Sequence, residues 1–233
     1  MNRLAPALIV ALGLAAAGLL LAQGMERFRM ADRSIVIKGL AEQTVDSDYA
    51  SWGLTVRRAA NSFAEVQKAL VRDREQVVAF LQAQGFTAEE LEIRPLVVRD
   101  AFSREYASAN TPTRYNGEAT VIVKTARIDT VQKAALATDP LIAAGVQLDA
   151  GAGPEYELRA FNDVKGDLLT AATDSARSQA ERFAMEAGAT LGPLKAANQG
   201  VIQISGVGGN RFDSRTSREK RLRVVSTFTY FLE

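Results

Sequence analysis

An alanine-rich amphipathic stretch, residues 162–187, places the strongest constraint on the fold of this chain. Its apolar residues recur every three or four positions, at Leu168, Ala172, Ala176, Ala180, Phe183 and Ala187. This spacing predicts a helix with one apolar face, capped by Asn162 at its start and ended by a left-handed turn at Gly188. Because alanine dominates that face, we expect the helix backbone to lie close against its support, as it would on a β-sheet.

Composition limits the chemistry that the chain can perform. Its 233 residues, 47% of them hydrophobic, are enough for one domain or two small ones. The absence of cysteine and histidine excludes disulfides, thiol nucleophiles, histidine bases and the ordinary zinc sites. The formal net charge of +1 gives no reason to expect a nucleic-acid partner. We therefore predict no metal, no cofactor and no nucleic-acid partner, and the residues identify no small-molecule substrate.

The first 24 residues have the character of a membrane-targeting segment. Leu4–Ala22 contains no charged residue and follows Arg3, and its length lies between that of a secretory signal and that of a membrane span. Ala22-Gln23-Gly24 is a usable cleavage site, and cleavage there would release a chain that begins at Met25. Residues 1–24 are therefore predicted to be a membrane anchor or a cleaved signal peptide, with 25–33 as a short linker.

Hydrophobic periodicity and turn residues predict a mixture of strands and helices, without strict alternation, from Ser34 onward. The predicted strands are Ser34–Leu40, Tyr49–Arg58, Leu91–Val98, Tyr115–Lys124, Val146–Leu148, Tyr156–Phe161, Leu194–Ile204 and Arg221–Leu232. A helix over residues 62–84 is predicted from the capping residues Ser62 and Glu65, and a second one begins with Asp129 as its cap and breaks at Pro140. Pro95 is expected to place its strand at a sheet edge or a bulge.

The order of these elements from Tyr49 to Phe161 is strand, helix, strand, strand, helix, strand, which is the ferredoxin-like order. We predict an α+β fold with a mixed, largely antiparallel sheet and helices packed on one face. The long helix and a β-hairpin follow, and these could be half of a second unit or could extend the first sheet.

Several segments together resemble the SIMPL-domain family, also called DUF541, and in part its envelope-anchored bacterial branch. They are Ser34-Ile-Val-Ile-Lys-Gly-Leu-Ala-Glu42, Tyr115 entering its strand, Asn162-Asp-Val-Lys165, Ala197-Asn-Gln-Gly200 and Leu222-Arg-Val-Val-Ser-Thr-Phe-Thr-Tyr230. The resemblance implies one SIMPL domain over residues 34–233 in an exported or membrane-anchored protein. It implies no established enzymatic activity and supplies no catalytic residues, while some members assemble into rings and others are linked to oxidative-stress defence.

The resemblance and the flanking charges disagree about topology. Arg27, Arg29 and Arg33 follow the apolar run, and the positive-inside rule would leave the body of the protein in the cytoplasm. The family resemblance implies the outer side of the inner membrane instead. We adopt the family's placement and predict a periplasmic protein that is anchored through residues 4–22 or released after signal cleavage.

Two motifs near the C-terminus resemble those of known catalytic or phosphate-binding sites. Ser217-Arg-Glu-Lys220 matches the S-x-x-K pattern of penicillin-recognising enzymes, but that chemistry needs its serine at a helix start, and this match lies in a loop. Gly206–Asn210 follows a strand as a phosphate loop would, but it lacks the Gly-Lys-Ser/Thr ending and is predicted to be a hairpin tip. A hydrolase using Ser217 and Lys220, or surface carboxylates, is the alternative function.

Charged groups near turns provide the remaining candidates. A basic cluster at the hairpin could contact lipid phosphates or an acidic partner, or could be an ordinary solvated loop; it consists of Arg211, Arg215, Arg218, Lys220, Arg221 and Arg223. The acidic pairs are Asp46 with Asp48, and Glu89 and Glu90 with Glu92. Acid–base work by such pairs requires environments that drive their pKa values apart, which exposed turns do not provide.

The sequence thus predicts a non-catalytic cell-envelope protein that self-associates as a homo-oligomer or binds a partner. Mixed sheets with edge strands offer pairing surfaces that require no reactive groups.

Overall fold

The computed structural model describes residues 13–21, 25, 33–103, 112–149, 153–208 and 215–233. The strands are β1 (Ser34–Asp46), β2 (Tyr49–Ala60), β3 (Leu91–Ile93), β4 (Val97–Asp100), β5 (Tyr115–Thr125), β6 (Glu155–Glu157), β7 (Leu191–Asn198), β8 (Gln203–Gly206) and β9 (Glu219–Leu232). The helices are α1 (Phe63–Ala83), α2 (Ile128–Leu136), α3 (Asp139–Ala143) and α4 (Phe161–Glu186), with short 3-10 turns at Ala88–Glu90 and Ala101–Ser103. The predicted α+β class is confirmed.

The chain divides into two compact units. The described residues of the first unit fall in Met1–Glu42, Gly166–Gln203 and Arg223–Glu233, and the second comprises Gln43–Lys165 and Ile204–Leu222. One sheet has the order β1-β9-β7, with β8 also pairing with β9, and the other has the order β3-β5-β2-β6, with β4 pairing with β5. The last helix and its hairpin therefore do not extend the sheet that contains β2 and β5.

The second unit has the predicted ferredoxin-like arrangement. β5 lies between β2 and β3, β6 lies on the other side of β2, and these neighbours are antiparallel. The predicted apolar faces of α1 and β2 are buried in one cluster with β5; this cluster includes Val66, Leu70, Val77, Leu81, Trp52, Leu54, Val56, Val121 and Val123. Ser62 caps α1 by accepting a hydrogen bond from the Glu65 backbone nitrogen at 3.5 Å, and Gly85, with φ +90°, follows the end of α1.

The first unit is built around α4, as its alanine stripe predicts. Ala176 and Ala180 pack with Ile37 of β1 and with Phe228 and Tyr230 of β9. The buried face of α4 is Leu168, Ala172, Ala176, Ala180 and Ala184. Gly188 adopts the predicted left-handed conformation, with φ +67°, directly after the helix.

Three details of the helix predictions are wrong. Phe183 is 53% exposed and Ala187 is exposed, because Ala184, one position further along the chain, completes the buried stripe. Asn162 is inside the first turn of α4, since the helix begins at Phe161. Asp129 lies in the first turn of α2, whose cap position is Arg127 without a side-chain bond.

Some strand predictions also require correction. Leu91–Val98 is interrupted around Pro95 into β3 and β4, and both pair with β5 at the predicted edge of the sheet. Leu194–Ile204 forms two strands, β7 and β8, because the chain leaves the ladder between Asn198 and Gln203. Extended structure at residues 156–161 is limited to β6, and at residues 146–148 to a single bridge between Leu148 and Val56.

Most of the predicted N-terminal anchor lies outside the described residues. Within Leu4–Ala22 only residues 13–21 are described, and these are helical. The cleavage site at residues 22–24 and the greater part of the linker 25–33 also lie outside. No helix in the described part of the chain combines the length and the hydropathy that crossing a bilayer requires.

Candidate functional site

Ser217 and Lys220 form backbone contacts at the base of the β8–β9 hairpin. The Ser217 hydroxyl accepts a hydrogen bond from the Val207 nitrogen at 3.0 Å, and it lies 2.9 Å from the Val207 carbonyl oxygen and 2.8 Å from that of Glu219. The Lys220 ammonium donates to the Ser217 carbonyl oxygen at 2.5 Å, and Lys220 is only 2% exposed. Ser217 precedes a strand rather than a helix, and its hydroxyl serves to close the hairpin. The contacts give no support to a serine nucleophile.

Arg218 bridges several elements of the second unit. Its guanidinium donates to Asp129 at 2.6 Å and to Gln132 at 3.0 Å, and it lies 3.5 Å from Asp46. The hydrogen bond to Asp129 is the main cause of a raised Arg218 pKa. The Arg218 carbonyl oxygen accepts hydrogen bonds from both the nitrogen and the hydroxyl of Ser47. Arg218 therefore has a structural role: it links α2 and the end of β1 to the segment that precedes β9.

The other described members of the basic cluster differ in exposure and in the carboxylates that they meet. Arg215 is 78% exposed in its side chain and lies 3.7 Å from Glu155, and Arg223 is half-exposed and lies 3.3 Å from Glu42. Arg221 is exposed, and Arg211 lies outside the described residues. Glu155 and Glu42 are distant in the sequence from Arg215 and Arg223, the arginines that they contact. Among the described members, Arg215, Arg221 and Arg223 are exposed, while Lys220 is buried.

Several of the acidic candidates, Asp48 and Glu90 among them, are engaged as acceptors. Asp48 accepts hydrogen bonds from the backbone nitrogens of Arg159 and Ala160 at 2.7 and 2.6 Å, just before α4 begins. Glu90 is bound by Arg127 and accepts hydrogen bonds from Thr125 and from the Thr87 nitrogen. These bonds, that from Arg127 above all, lower the Glu90 pKa from 4.5 to about 2. A carboxyl group held so firmly in its ionised form is a poor proton donor near neutral pH.

The pKa of Glu92 is also lowered, mainly by a hydrogen bond from Lys124 at 2.5 Å. Across the residues that the structure describes, no group of acidic side chains is arranged to hold a metal ion.

An accessible feature of the first unit is the outer edge of β1. This strand has thirteen residues, stands at the end of its sheet, and pairs on its outer side with no other described strand. Alternate side chains point to the exposed face: Val36 is 62% exposed and Leu40 is 43% exposed, with Lys38 and Glu42 also exposed. We call these four residues, with their backbone groups, the β1 edge.

The β1 edge was not predicted from the sequence, although a signal for it was present. Residues 34–41 are apolar at both odd and even positions, apart from Ser34 and Lys38, so the strand has two apolar faces. The odd positions Ile37 and Ala41 are buried, with Gly39 between them against α4, and the even positions are exposed. A depression lined by Val201, Gln203, Arg223 and Val225 lies in the same unit.

These features define an α+β protein with two antiparallel sheets. Its candidate serine, lysine and most of its candidate carboxylates are bound within the chain, and no other described strand pairs with the β1 edge. The chain belongs to the SIMPL family. The family model described as "Protein of unknown function (DUF541)" matches residues 35–224, nearly all of the predicted domain. No curated protein matches the chain.

Proposed function

We propose that this protein is a non-catalytic cell-envelope module that works by self-association through the β1 edge. The observation that carries the proposal is a thirteen-residue strand at the end of a sheet, with exposed aliphatic side chains at Val36 and Leu40. Unpaired backbone N–H and C=O groups on such a strand are a template for pairing with another chain. Natural proteins whose edges must stay unpaired usually shorten, charge or cover them.

The absence of catalysis in this proposal is supported by the internal bonding of the candidate groups. The Ser217 hydroxyl is engaged with backbone groups, and the Lys220 ammonium donates to a carbonyl oxygen. A serine-reactive activity probe applied to the purified protein should therefore give no labelling at Ser217. Labelling that disappears in Ser217→Ala would overturn this part of the proposal.

The envelope location rests on the uncharged run Leu4–Ala22, which can hold the chain in the inner membrane with its body on the outer side. A link to envelope or oxidative-stress defence rests on the resemblance of sequence alone.

Light scattering of the full chain in detergent, corrected for the bound detergent, tests self-association. We expect a protein mass of more than one copy, and we expect Leu40→Lys to lower it, because an added charge on an edge strand opposes pairing. Leu136→Lys is the matched control, since Leu136 is 82% exposed on α2 and belongs to the second unit. A wild-type protein that remains a single copy over a wide concentration range would refute the proposal.

A further inference from the structure

We infer that two copies of the chain pair β1 with β1 in antiparallel fashion about a two-fold axis at Leu40, so that each Lys38 lies opposite Glu42 of the other copy. This inference rests on the proposed self-association and specifies its geometry. It follows from the direction of the backbone groups of β1 and from the charges on its exposed face.

The backbone bonds between β1 and β9 show which residues of β1 face outward. The Leu232 nitrogen donates to the Arg33 carbonyl oxygen at 2.9 Å, and the Ser47 nitrogen donates to the Arg218 carbonyl oxygen at 2.9 Å. The number of residues from Arg33 to Ser47 along β1 equals the number from Arg218 to Leu232 along β9. The two strands therefore stay in register between these bonds, without a bulge in β1. Because backbone groups alternate in direction along an antiparallel strand, the odd residues of β1 bond to β9. The N–H and C=O groups of Lys38, Leu40 and Glu42 therefore point away from β9.

These same residues carry the exposed side chains, so one set of positions supplies both the backbone groups and the contacts of a new strand pair. Homodimers most often have two-fold symmetry, in which the same patch of both copies meets itself. In an antiparallel pair of identical strands, the axis then passes through one residue or between two residues. The choice of axis decides which side chains lie opposite each other.

The charges of Lys38 and Glu42 favour an axis at Leu40. An axis at Lys38 would place the two Lys38 side chains opposite each other, and an axis at Glu42 would place the two Glu42 carboxylates opposite each other. Like charges directly opposite each other destabilise a strand pair, and opposite charges stabilise it. An axis at Leu40 places Lys38 opposite Glu42 twice and Leu40 opposite Leu40. It is the axis that joins unlike charges and also covers an exposed leucine.

The ion pairs within one copy are consistent with this arrangement. Lys38 forms no ion pair with any residue in the described part of its own chain, whereas Glu42 lies 3.3 Å from Arg223 on β9. A second copy would provide Lys38 with a carboxylate. It would also give Glu42 a second cation on the side away from β9.

Single-cysteine cross-linking of the full chain in detergent tests the axis, because the protein has no cysteine of its own. Hydrogen-bonded antiparallel partners have Cα atoms about 5.5 Å apart, within the range of about 4.4–6.8 Å that a disulfide spans. Under mild oxidation Leu40→Cys should therefore form a covalent species of twice the chain mass. Val36→Cys is the matched control: it is more exposed than Leu40, and this register places it far from its own copy.

Lys38→Cys and Glu42→Cys complete the test. Each should remain unlinked alone, and an equal mixture of the two should cross-link as a heterodimer. Cross-linking of Lys38→Cys alone, Glu42→Cys alone or Val36→Cys alone would establish a different register and overturn the inference. If no variant cross-links while light scattering still finds more than one copy, the two-fold register of β1 at Leu40 is refuted and self-association stands. A single copy by light scattering would refute the proposed function itself.

Discussion

The carbonyl oxygen of Ala172 in α4 lies 1.9 Å from the position that a Cβ atom on Gly39 of β1 would occupy. The Ala176 methyl group lies 2.8 Å from the same position. The helix backbone therefore contacts the strand where the strand has no side chain and the helix has only methyl groups. This close approach explains why the apolar face of α4 consists mainly of alanine.

Gly39→Ala should destabilise the protein, because the added methyl group meets backbone rather than a movable side chain. We expect a loss of about 1–3 kcal/mol in the free energy of unfolding, the usual range for overpacking. Gly53→Ala is the control: Gly53 lies in β2, and a Cβ atom there meets nothing within 4 Å. Chemical denaturation should show a lower midpoint for the first variant alone, and equal midpoints would contradict the contact.

Ala176→Leu should also cost about 1–3 kcal/mol of stability, because Ala176 is fully buried against the sheet. Arg177→Leu should change stability by only about 0.5 kcal/mol, since the Arg177 side chain is 69% exposed and makes one surface pair with Glu181. Denaturant titration of both variants checks this. Equal effects would mean that the buried face of α4 is wrongly assigned.

Asp73→Ala should be among the most destabilising changes in the second unit. Asp73 is fully buried in α1 and pairs with Arg58 of β2, which also donates to the Gly145 carbonyl oxygen at 2.6 Å. Removing one partner of a buried pair leaves the other charge uncompensated, typically at about 3–5 kcal/mol. Glu118→Ala breaks the more exposed pair with Arg99 and should cost about 0–1 kcal/mol. Similar losses of thermal stability in the two variants would contradict the proposed importance of burial.

Stability should fall in acid partly through Glu90. Its pKa is lowered from 4.5 to about 2 in the folded protein, so its contribution is present above pH 4.5 and is lost as the pH falls towards 2. Glu90→Gln should therefore be less stable than wild type at neutral pH, and the difference should shrink across that window. Thermal unfolding between pH 2 and 7 measures it, with Glu89→Gln at the exposed neighbouring position as the control. A difference that does not depend on pH would refute the assignment.

A reporter fused after Glu233 should be active on the outer side of the inner membrane. The reason is that Leu4–Ala22 can direct export, and the family resemblance outweighs the arginines that follow it. Paired fusions of a periplasm-active and a cytoplasm-active reporter measure this. Activity of the cytoplasmic reporter alone would reverse the topology.

The elements whose signals are local were predicted well from the sequence. The cap at Ser62, the buried face of α1, the turn at Gly188 and the stripe from Leu168 to Ala180 all depend on residues within a few turns of one another. The end of α4 was predicted less well. Whether Phe183 or Ala184 is buried depends on how the helix lies on its sheet, and that is decided by its contact with Gly39, which is far away in the sequence.

The candidate site shows the same difference between local signals, which the sequence carries, and contacts between distant segments, which it does not. The sequence by itself determined which chemistries are absent, because a chain without cysteine or histidine cannot supply them in any fold. It also determined the apolar periods of α1, α4 and β9. Only the tertiary structure decided that Arg218 meets Asp129 and that β1 stands at the end of a sheet beside β9. Strand neighbours and ion-pair partners are chosen by packing between segments that are distant in the chain, and no local pattern of residues encodes that choice.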